Sequence, residues 1–217
     1  MLEREVKLLF PTTAAARDAV VAAGAVLSDA LRLQDDSLYD LPDETLRKKG
    51  CVVRIRIERW TGRPDTTTLT VKGPVQSSRM KLREEHETRV ENVEALTQAF
   101  DALGMRVWFR YQKYREEFSR PGLVVAIDET PVGTYVELEG DEDAILAMTT
   151  ALGRSSSDFI VDSYYRLFMK RRDELGLAGP FMVFSASAGR VPQGPDAKQH
   201  RLVGPRERTD VADKPRK

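Results

Sequence analysis

MLEREVKLLF, residues 1–10, alternates charged and apolar side chains along most of its length. Successive side chains of a β-strand point to opposite faces, so Glu3, Glu5 and Lys7 would all lie on one face. The other face is apolar from Val6 onward. The pattern predicts a strand that carries two carboxylates and an ammonium group in a row. For this stretch taken alone, a solvent-exposed strand face is the simplest interpretation.

The same alternation returns in later segments, which are therefore predicted to be strands as well. Two segments joined by TPVG predict a hairpin of residues 122–130 and 133–140. Eight strands in mostly antiparallel order are compatible with a closed barrel or with a large open sheet, and alternation does not distinguish the two. The remaining predicted strands cover residues 26–41, 51–60, 66–73, 80–90 and 105–120.

Helices are predicted between some of these strands and after the last one. Thr12 or Thr13 can cap an alanine-rich helix, and Asn92 can cap a second one. A third helix, over residues 141–153, has an acidic first turn that suits the positive end of its dipole. The last predicted helix is DFIVDSYYRLFMKRRDELGL, residues 158–177.

Composition changes after Phe184, where proline, glycine and charged residues replace apolar ones. Such a segment has too little apolar surface to form a packed core. We therefore predict one folded domain over residues 1–184 and a disordered tail over residues 185–217.

Overall charge and cysteine content limit the function and the compartment. Lys and Arg total 34 of 217 residues, as do Asp and Glu, so the formal net charge is zero. A non-specific nucleic-acid protein would carry a basic excess, so no nucleic-acid partner is expected. Cys51 is the single cysteine, which excludes an intramolecular disulfide and fits a reducing compartment. With no signal peptide or long apolar run recognised, we expect a cytoplasmic protein without a membrane partner.

Charged side chains dominate the polar faces of the predicted strands, although such residues are generally depleted in strands. They could be cross-strand ion pairs on a wet face, or they could face inward if the helices cover the apolar faces from outside. Arginine and lysine suit phosphate oxygens, and paired carboxylates suit Mg²⁺ or Mn²⁺. A polyphosphate bound with metal ions would use both signs together. The charged positions are Glu3, Glu5, Lys7, Arg54, Arg56, Lys72, Arg83, Glu85, Glu87, Lys113, Arg115, Asp128, Glu137 and Glu139.

Other chemistries have less support in the sequence. The phosphate-loop pattern G-x-x-x-x-G-K-[ST] does not occur. His86 and His200 are too few for a histidine-rich metal site, and Cys51 is expected to be a packing residue. Trp60 and Trp108 could belong to the core or form a base-stacking surface, and the core is the better prediction.

In order, these charged positions resemble the CYTH, or triphosphate tunnel metalloenzyme, superfamily. The resemblance runs from residue 3 to about residue 170 and covers nearly the whole predicted folded part. It implies an α+β fold with an eight-stranded antiparallel β-barrel that forms a triphosphate tunnel, with helices packed outside. It rests on E-x-E-x-K (Glu3, Glu5, Lys7), R-x-R (Arg54, Arg56), TVKGP with Lys72, REEHE (Arg83, Glu85, Glu87), KYR (Lys113, Arg115), Asp128 and ELE (Glu137, Glu139), besides QDDSLYD and SYYRLF.

The resemblance also implies a role for each matching residue, with Mg²⁺ or Mn²⁺ as cofactor. The expected metal ligands are Glu3, Glu5, Glu137 and Glu139, with Asp128 assisting. The expected ligands of the triphosphate are Lys7, Arg54, Arg56, Lys72, Arg83, Lys113 and Arg115. The expected catalytic residues are Glu3, Glu5, Lys7, Glu85 and Glu87, the last two assisting with metal or water.

Members of this superfamily hydrolyse inorganic, thiamine or nucleoside triphosphates, and one branch cyclises ATP to cyclic AMP. The second carboxylate of ELE, Glu139, favours hydrolysis, so metal-dependent hydrolysis of a triphosphate small molecule is the first expectation. A class IV adenylyl cyclase is the alternative, and a non-catalytic polyphosphate or nucleotide sensor is a further one. The sequence does not determine the oligomeric state and allows a homodimer.

Overall fold

The computed structural model describes residues 2–76 and 79–185. Eight strands close into one barrel in the order β1-β5-β4-β3-β2-β6-β7-β8, and all neighbouring pairs are antiparallel. Because β1 pairs with both β5 and β8, the open-sheet alternative is excluded and the predicted barrel is confirmed. The strands are β1 Leu2–Phe10, β2 Val26–Asp40, β3 Val52–Trp60, β4 Thr66–Lys72, β5 Lys81–Arg89, β6 Arg106–Arg120, β7 Leu123–Thr130 and β8 Gly133–Gly140.

Among the described residues, five α-helices accompany the barrel, and side-chain caps define where several of them begin. The Thr12 hydroxyl accepts a hydrogen bond from the backbone N–H of Ala15 at 3.1 Å. Asn92 accepts one from the N–H of Ala95 at 2.9 Å. Each cap satisfies a donor that a helix start would otherwise leave unpaired. The helices are α1 Thr13–Ala22, α2 Thr45–Lys48, α3 Val93–Ala102, α4 Glu142–Ala151 and α5 Tyr164–Arg171.

Apolar side chains of the strands lie outside the barrel wall, beneath the helices. Val6 and Leu8 of β1 are fully buried in one cluster with Val20 of α1 and Ile145 of α4. Burying an aliphatic side chain of this size contributes about 1.5–3 kcal/mol to folding. On another side, Phe100 of α3 meets the edge of Tyr39, with ring centroids 5.0 Å apart. The apolar faces therefore point outward, which leaves the polar faces inside.

Helix α5 is shorter than the predicted helix of residues 158–177, so that prediction is wrong in its length. Ile160 exchanges backbone hydrogen bonds with Lys7 at 2.9 and 3.0 Å, which keeps this part of the chain extended. The Ser163 hydroxyl then accepts from the N–H of Arg166 at 3.3 Å and caps the helix. Tyr164 and Phe168 of α5 are buried in one cluster with apolar residues of β6 and β8.

The segment after α5 runs beside β6. Met182 is fully buried, its N–H donates to the carbonyl of Arg110 at 3.0 Å, and its carbonyl accepts from the N–H of Gln112 at 2.8 Å. Residues 186–217 lie outside the described residues, so the predicted tail and its boundary stay predictions. Within the described part of the chain, no helix has both the length and the apolar composition needed to cross a membrane.

Candidate active site

The three charges of β1 point into the barrel. Glu3, Glu5 and Lys7 are 8%, 6% and 2% exposed, so a solvent-exposed strand face is the wrong interpretation of this stretch. Glu3 lies opposite Arg83 of β5, and Lys7 lies opposite Glu137 of β8. The barrel closure thus brings together charges that are far apart in sequence.

A cavity of about 740 Å³ lies inside the barrel. Apart from His86, eight lysine and arginine side chains and seven glutamates line it, so the two signs nearly balance. Every predicted site residue except Asp128 belongs to this lining. The charged lining is Glu3, Glu5, Lys7, Arg54, Arg56, Lys72, Lys81, Arg83, Glu85, Glu87, Lys113, Arg115, Glu117, Glu137 and Glu139.

Glu3, Glu5 and Glu139 form one carboxylate group, with an oxygen of each within 4.8 Å of the others. Burial raises the pKa of Glu3 to about 7, and a hydrogen bond to Glu85 and the charge of Glu5 add to this effect. Burial and the charge of Glu5 also raise the pKa of Glu139. Crowded, buried carboxylate oxygens of this kind suit a hard divalent cation, which would offset their repulsion.

Glu5 differs from the other two carboxylates because two lysines contact it. Burial opposes ionisation, but Lys7 and Lys81 lower the pKa of Glu5 well below its usual range. The Lys7 Nζ donates to Glu5 Oε1 at 3.0 Å, and Lys81 Nζ donates to the same oxygen. Glu5 is therefore an ionised member of the carboxylate group that also contacts two lysines of the lining.

Asp128 lies outside the carboxylate group of Glu3, Glu5 and Glu139, and its assisting role in metal binding stays a prediction. It is fully buried and does not line the cavity. Arg115 donates to both of its oxygens at 2.7 and 2.6 Å, while Lys113 and the Tyr164 hydroxyl donate to Oδ2 at 2.7 and 2.6 Å. With its acceptors occupied in this way, Asp128 holds two predicted phosphate ligands in place.

Glu137 also lies apart from the three-carboxylate group, although it faces the cavity. Its Oε1 lies 3.2 Å from Lys7 Nζ, and its Oε2 accepts from Arg115 and lies 3.8 Å from Lys113 Nζ. Burial opposes ionisation, but Lys113 and Lys7 lower the pKa of Glu137 well below its usual range. The structure therefore places Glu137 among the cations, as a charged partner of three of them.

Two further cations of the lining, Lys72 and Arg83, have different kinds of partner. Lys72 Nζ contacts Glu3 at 2.8 Å and Glu85 at 2.6 Å, so a carboxylate lies on either side of it. Arg83 instead donates to the carbonyls of Gly73, at 3.0 and 2.6 Å, and Gly50, at 3.2 Å. Backbone carbonyls carry no formal charge, so the guanidinium of Arg83 is oriented without being neutralised by them.

Sequence reasoning missed Asp36, which orients the arginines of R-x-R. Asp36 is fully buried behind the cavity, 2.9 Å from Arg56 Nε and 3.4 Å from Arg54 Nε. Its Oδ2 has no hydrogen-bond partner among the described residues. The signal was the alternation within QDDSLYD, which puts Gln34 and Asp36 on one face of β2.

Two further residues of the site were also missed. Lys81 shares the strand face of Arg83 and Glu85, and the alternation of residues 80–90 includes it, but it lies outside the family motifs from which the site residues were predicted. Tyr164 lies on a helix at the barrel end, and nothing in the local sequence shows that its hydroxyl reaches Asp128.

A closed antiparallel barrel with a charged cavity and a three-carboxylate group defines a class of proteins whose candidate site lies inside the barrel and is lined by charged side chains. The family model for the CYTH domain matches residues 1–164, and the chain belongs to this family. The predicted family is thereby confirmed.

Individual proteins are similar to this chain. The chain is 28% identical over 147 residues to "Putative adenylate cyclase MJ0240" of Methanocaldococcus jannaschii, a match that covers 63% of this chain and 81% of the relative. It resembles the PH1819 protein of Pyrococcus horikoshii OT3 with a TM-score of 0.64 and 25% identity, over 78% of this chain and 99% of that one. The X-ray structure of a "putative adenylate cyclase" from Vibrio parahaemolyticus has a TM-score of 0.67 at 18% identity, over 78% of this chain and 98% of that one.

Proposed function

We propose that the protein is a metal-dependent triphosphatase whose substrate lies in the barrel cavity. The observation that carries this proposal is the three-carboxylate group of Glu3, Glu5 and Glu139 in the same cavity as eight lysines and arginines. Because the lining is close to neutral as a whole, a polyanion fits it best when divalent cations accompany it. A triphosphate with bound metal satisfies both halves of the site.

The residues divide into three proposed roles. Glu3, Glu5 and Glu139 would hold Mg²⁺ or Mn²⁺, which, when bound, neutralises charge on the phosphate oxygens. Glu85 lies beside Lys72, and although burial opposes ionisation, a hydrogen bond with Glu3 and the charge of Lys72 lower the pKa of Glu85 to about 2. Glu85 and Glu87, two residues apart on β5, are the proposed residues that orient water. The proposed phosphate ligands are Lys7, Arg54, Arg56, Lys72, Arg83, Lys113 and Arg115.

The reaction that these groups support is hydrolysis of the terminal phosphoanhydride. Water adds to the terminal phosphorus, the bond from that phosphorus to its bridging oxygen breaks, and the oxygen leaves with the remaining diphosphate. Catalysis of this kind depends on positioning and charge neutralisation rather than on a covalent enzyme group. Buried, mutually fixed cations such as Lys113 and Arg115 are suited to both tasks.

Cyclisation of ATP is the second candidate, and the name of the Methanocaldococcus relative is the observation that favours it. In that reaction the ribose hydroxyl attacks the α-phosphorus and diphosphate leaves. The second carboxylate of ELE, Glu139, is the feature by which the family resemblance favours hydrolysis, and it lies in the carboxylate group beside Glu3 and Glu5. Hydrolysis is therefore the first proposal.

The test is to measure phosphate release and cyclic AMP in parallel, with inorganic triphosphate, thiamine triphosphate or ATP and with Mg²⁺ or Mn²⁺. We expect metal-dependent phosphate release that falls roughly 100-fold or more in Glu3→Gln/Glu5→Gln, since neutralising substrate charge contributes several kcal/mol. Glu91→Gln, an exposed glutamate outside the barrel, is the matched control and should be unaffected. Phosphate release that persists in the double variant or without metal would contradict the proposal, and cyclic AMP with little phosphate would establish the cyclase.

A further inference from the structure

Part of the cavity lining is apolar or aromatic and offers no charged group to a phosphate. Four side chains, Leu38, Val52, Trp108 and Tyr165, form what we call the aromatic wall. Inorganic triphosphate has no apolar surface to place against them. Aromatic side chains that line a ligand cavity usually provide apolar contact to the ligand, while the few polar groups fix its orientation.

The aromatic wall continues directly from the cationic part of the cavity. Val52 lies two residues before Arg54 on β3, so their side chains share one strand face. Tyr111, which also lines the cavity, has the same relation to Lys113 on β6. A ligand that extends beyond the phosphate ligands along these strands therefore meets apolar side chains next.

Trp108 reaches the cavity because of an irregularity in β6. Leu38 pairs with Phe109 and Tyr39 pairs with Val107, so Trp108 is one extra residue on β6 opposite β2. A bulge of this kind changes the direction of the side chain it carries. Strict alternation would not have shown that this indole lines the cavity.

The indole is held in place by neighbours on two elements. The guanidinium of Arg47 lies 4.3 Å from its ring centroid, and Arg47 Nε in turn donates to Asp40 at 3.0 Å. Tyr165 meets it edge-to-face, with centroids 5.0 Å apart and an interplanar angle of 76°. A ring fixed before binding loses little conformational entropy when a ligand stacks on it.

We propose that the aromatic wall binds a planar aromatic group of the substrate, so that the substrate is an organic triphosphate carrying an aromatic ring rather than inorganic triphosphate. This inference rests on the proposed function, because the ring must be joined to a phosphate chain held by the cationic lining. Nucleoside triphosphates and thiamine triphosphate share this chemistry.

Steady-state kinetics with Trp108→Ala and Trp108→Phe test the inference. We expect Trp108→Ala to lower kcat/KM about ten- to hundredfold for ATP or for thiamine triphosphate, whichever is the substrate, through a higher KM. Trp108→Phe should recover most of this loss, and kcat/KM for inorganic triphosphate should change less than about twofold in both variants. In Trp108→Ala, an unchanged kcat/KM for both organic triphosphates, or a loss for inorganic triphosphate as large as the loss for the organic substrate, would overturn the proposal.

A fluorescence titration tests the contact without turnover. The chain has two tryptophans, and Trp60 does not line the cavity, so Trp60→Phe leaves Trp108 as the single indole. With Ca²⁺ in place of the catalytic metal, ATP or thiamine triphosphate should quench this fluorescence and inorganic triphosphate should not. Equal quenching by all three, or none by either organic ligand, would overturn the aromatic site. If the phosphate-release assay with Mg²⁺ or Mn²⁺ shows no hydrolysis while the quenching is preserved, only the proposed function is contradicted.

Discussion

Tyr164 shows how a single side chain can support the cations of the cavity without being charged. Its hydroxyl donates to the buried carboxylate of Asp128 at 2.6 Å. Its ring lies under two ammonium groups, with the centroid 5.3 Å from Lys7 Nζ and 4.8 Å from Lys113 Nζ. Burial and the charges of Asp128 and Glu137 raise the pKa of Tyr164 well above its usual range, so the phenol stays a donor.

Tyr164→Phe should therefore destabilise the fold. The change removes one hydrogen bond to a buried carboxylate, which costs about 1.5–3 kcal/mol of unfolding free energy. Urea denaturation of the metal-free protein at neutral pH measures this loss. Tyr165→Phe is the matched control because Tyr165 contacts Trp108 and Phe109 through its ring, and it should change stability by less than about 0.5 kcal/mol. Equal stability of the two variants would show that the hydroxyl of Tyr164 does not support Asp128.

Strands β2, β3 and β6 are joined by a partly buried ion-pair network. Arg32 on β2 donates to Glu58 on β3 and to Glu117 on β6, both at 2.6 Å. Gln34 donates to the same oxygen of Glu58 at 2.7 Å, and Thr66 donates to the other at 3.2 Å. Burial opposes ionisation of Glu58, but Arg32 and Gln34 lower its pKa to about 2. The network holds the two neighbours of β2 in register.

Glu58→Gln should lower stability in a pH-dependent way. Because the pKa of Glu58 is lower in the folded protein than in the unfolded chain, its contribution is present above the unfolded pKa and is lost as pH falls toward 2. The shift from 4.5 to about 2 sets an upper limit of about 3 kcal/mol of unfolding free energy at pH 7, which solvent screening of this partly exposed carboxylate reduces.

Urea denaturation of wild type and Glu58→Gln from pH 7 down to pH 2.5 checks this expectation. The stability difference should be largest at neutral pH and shrink steadily below about pH 4.5. The exposed Glu91→Gln should follow the wild-type profile throughout. A difference that stays constant with pH would mean that Glu58 contributes through packing and not through its charge.

At the scale of the whole molecule, the sequence indicated which side chains share a strand face. It did not indicate how close side chains of different strands lie to one another. Alternation predicted the eight strands, and the family resemblance carried by the ordered charged motifs implied the barrel and nearly all of its charged lining. Closure itself depends on pairing between β1 and β8, which are far apart in sequence, so alternation alone left an open sheet equally compatible. The resemblance to the CYTH superfamily resolved that choice.

What could not be predicted depends on contacts between distant elements. The separation of Asp128 from the three-carboxylate group follows from Arg115 and Lys113, which occupy its oxygens. The direction of the Trp108 side chain follows from the register shift of β6 against β2. The start of α5 follows from the pairing of Ile160 with Lys7, which local helix propensity does not reflect.

The central claim is that one cavity binds a triphosphate together with a divalent cation. The most direct measurement is anomalous diffraction from crystals of the wild-type protein grown with Mn²⁺ and a non-hydrolysable imido analogue of triphosphate. We predict a manganese peak among the carboxylates of Glu3, Glu5 and Glu139, with phosphate density beside Lys113 and Arg115 in the same cavity. Manganese bound elsewhere, or an analogue that lies outside the barrel, would contradict the account.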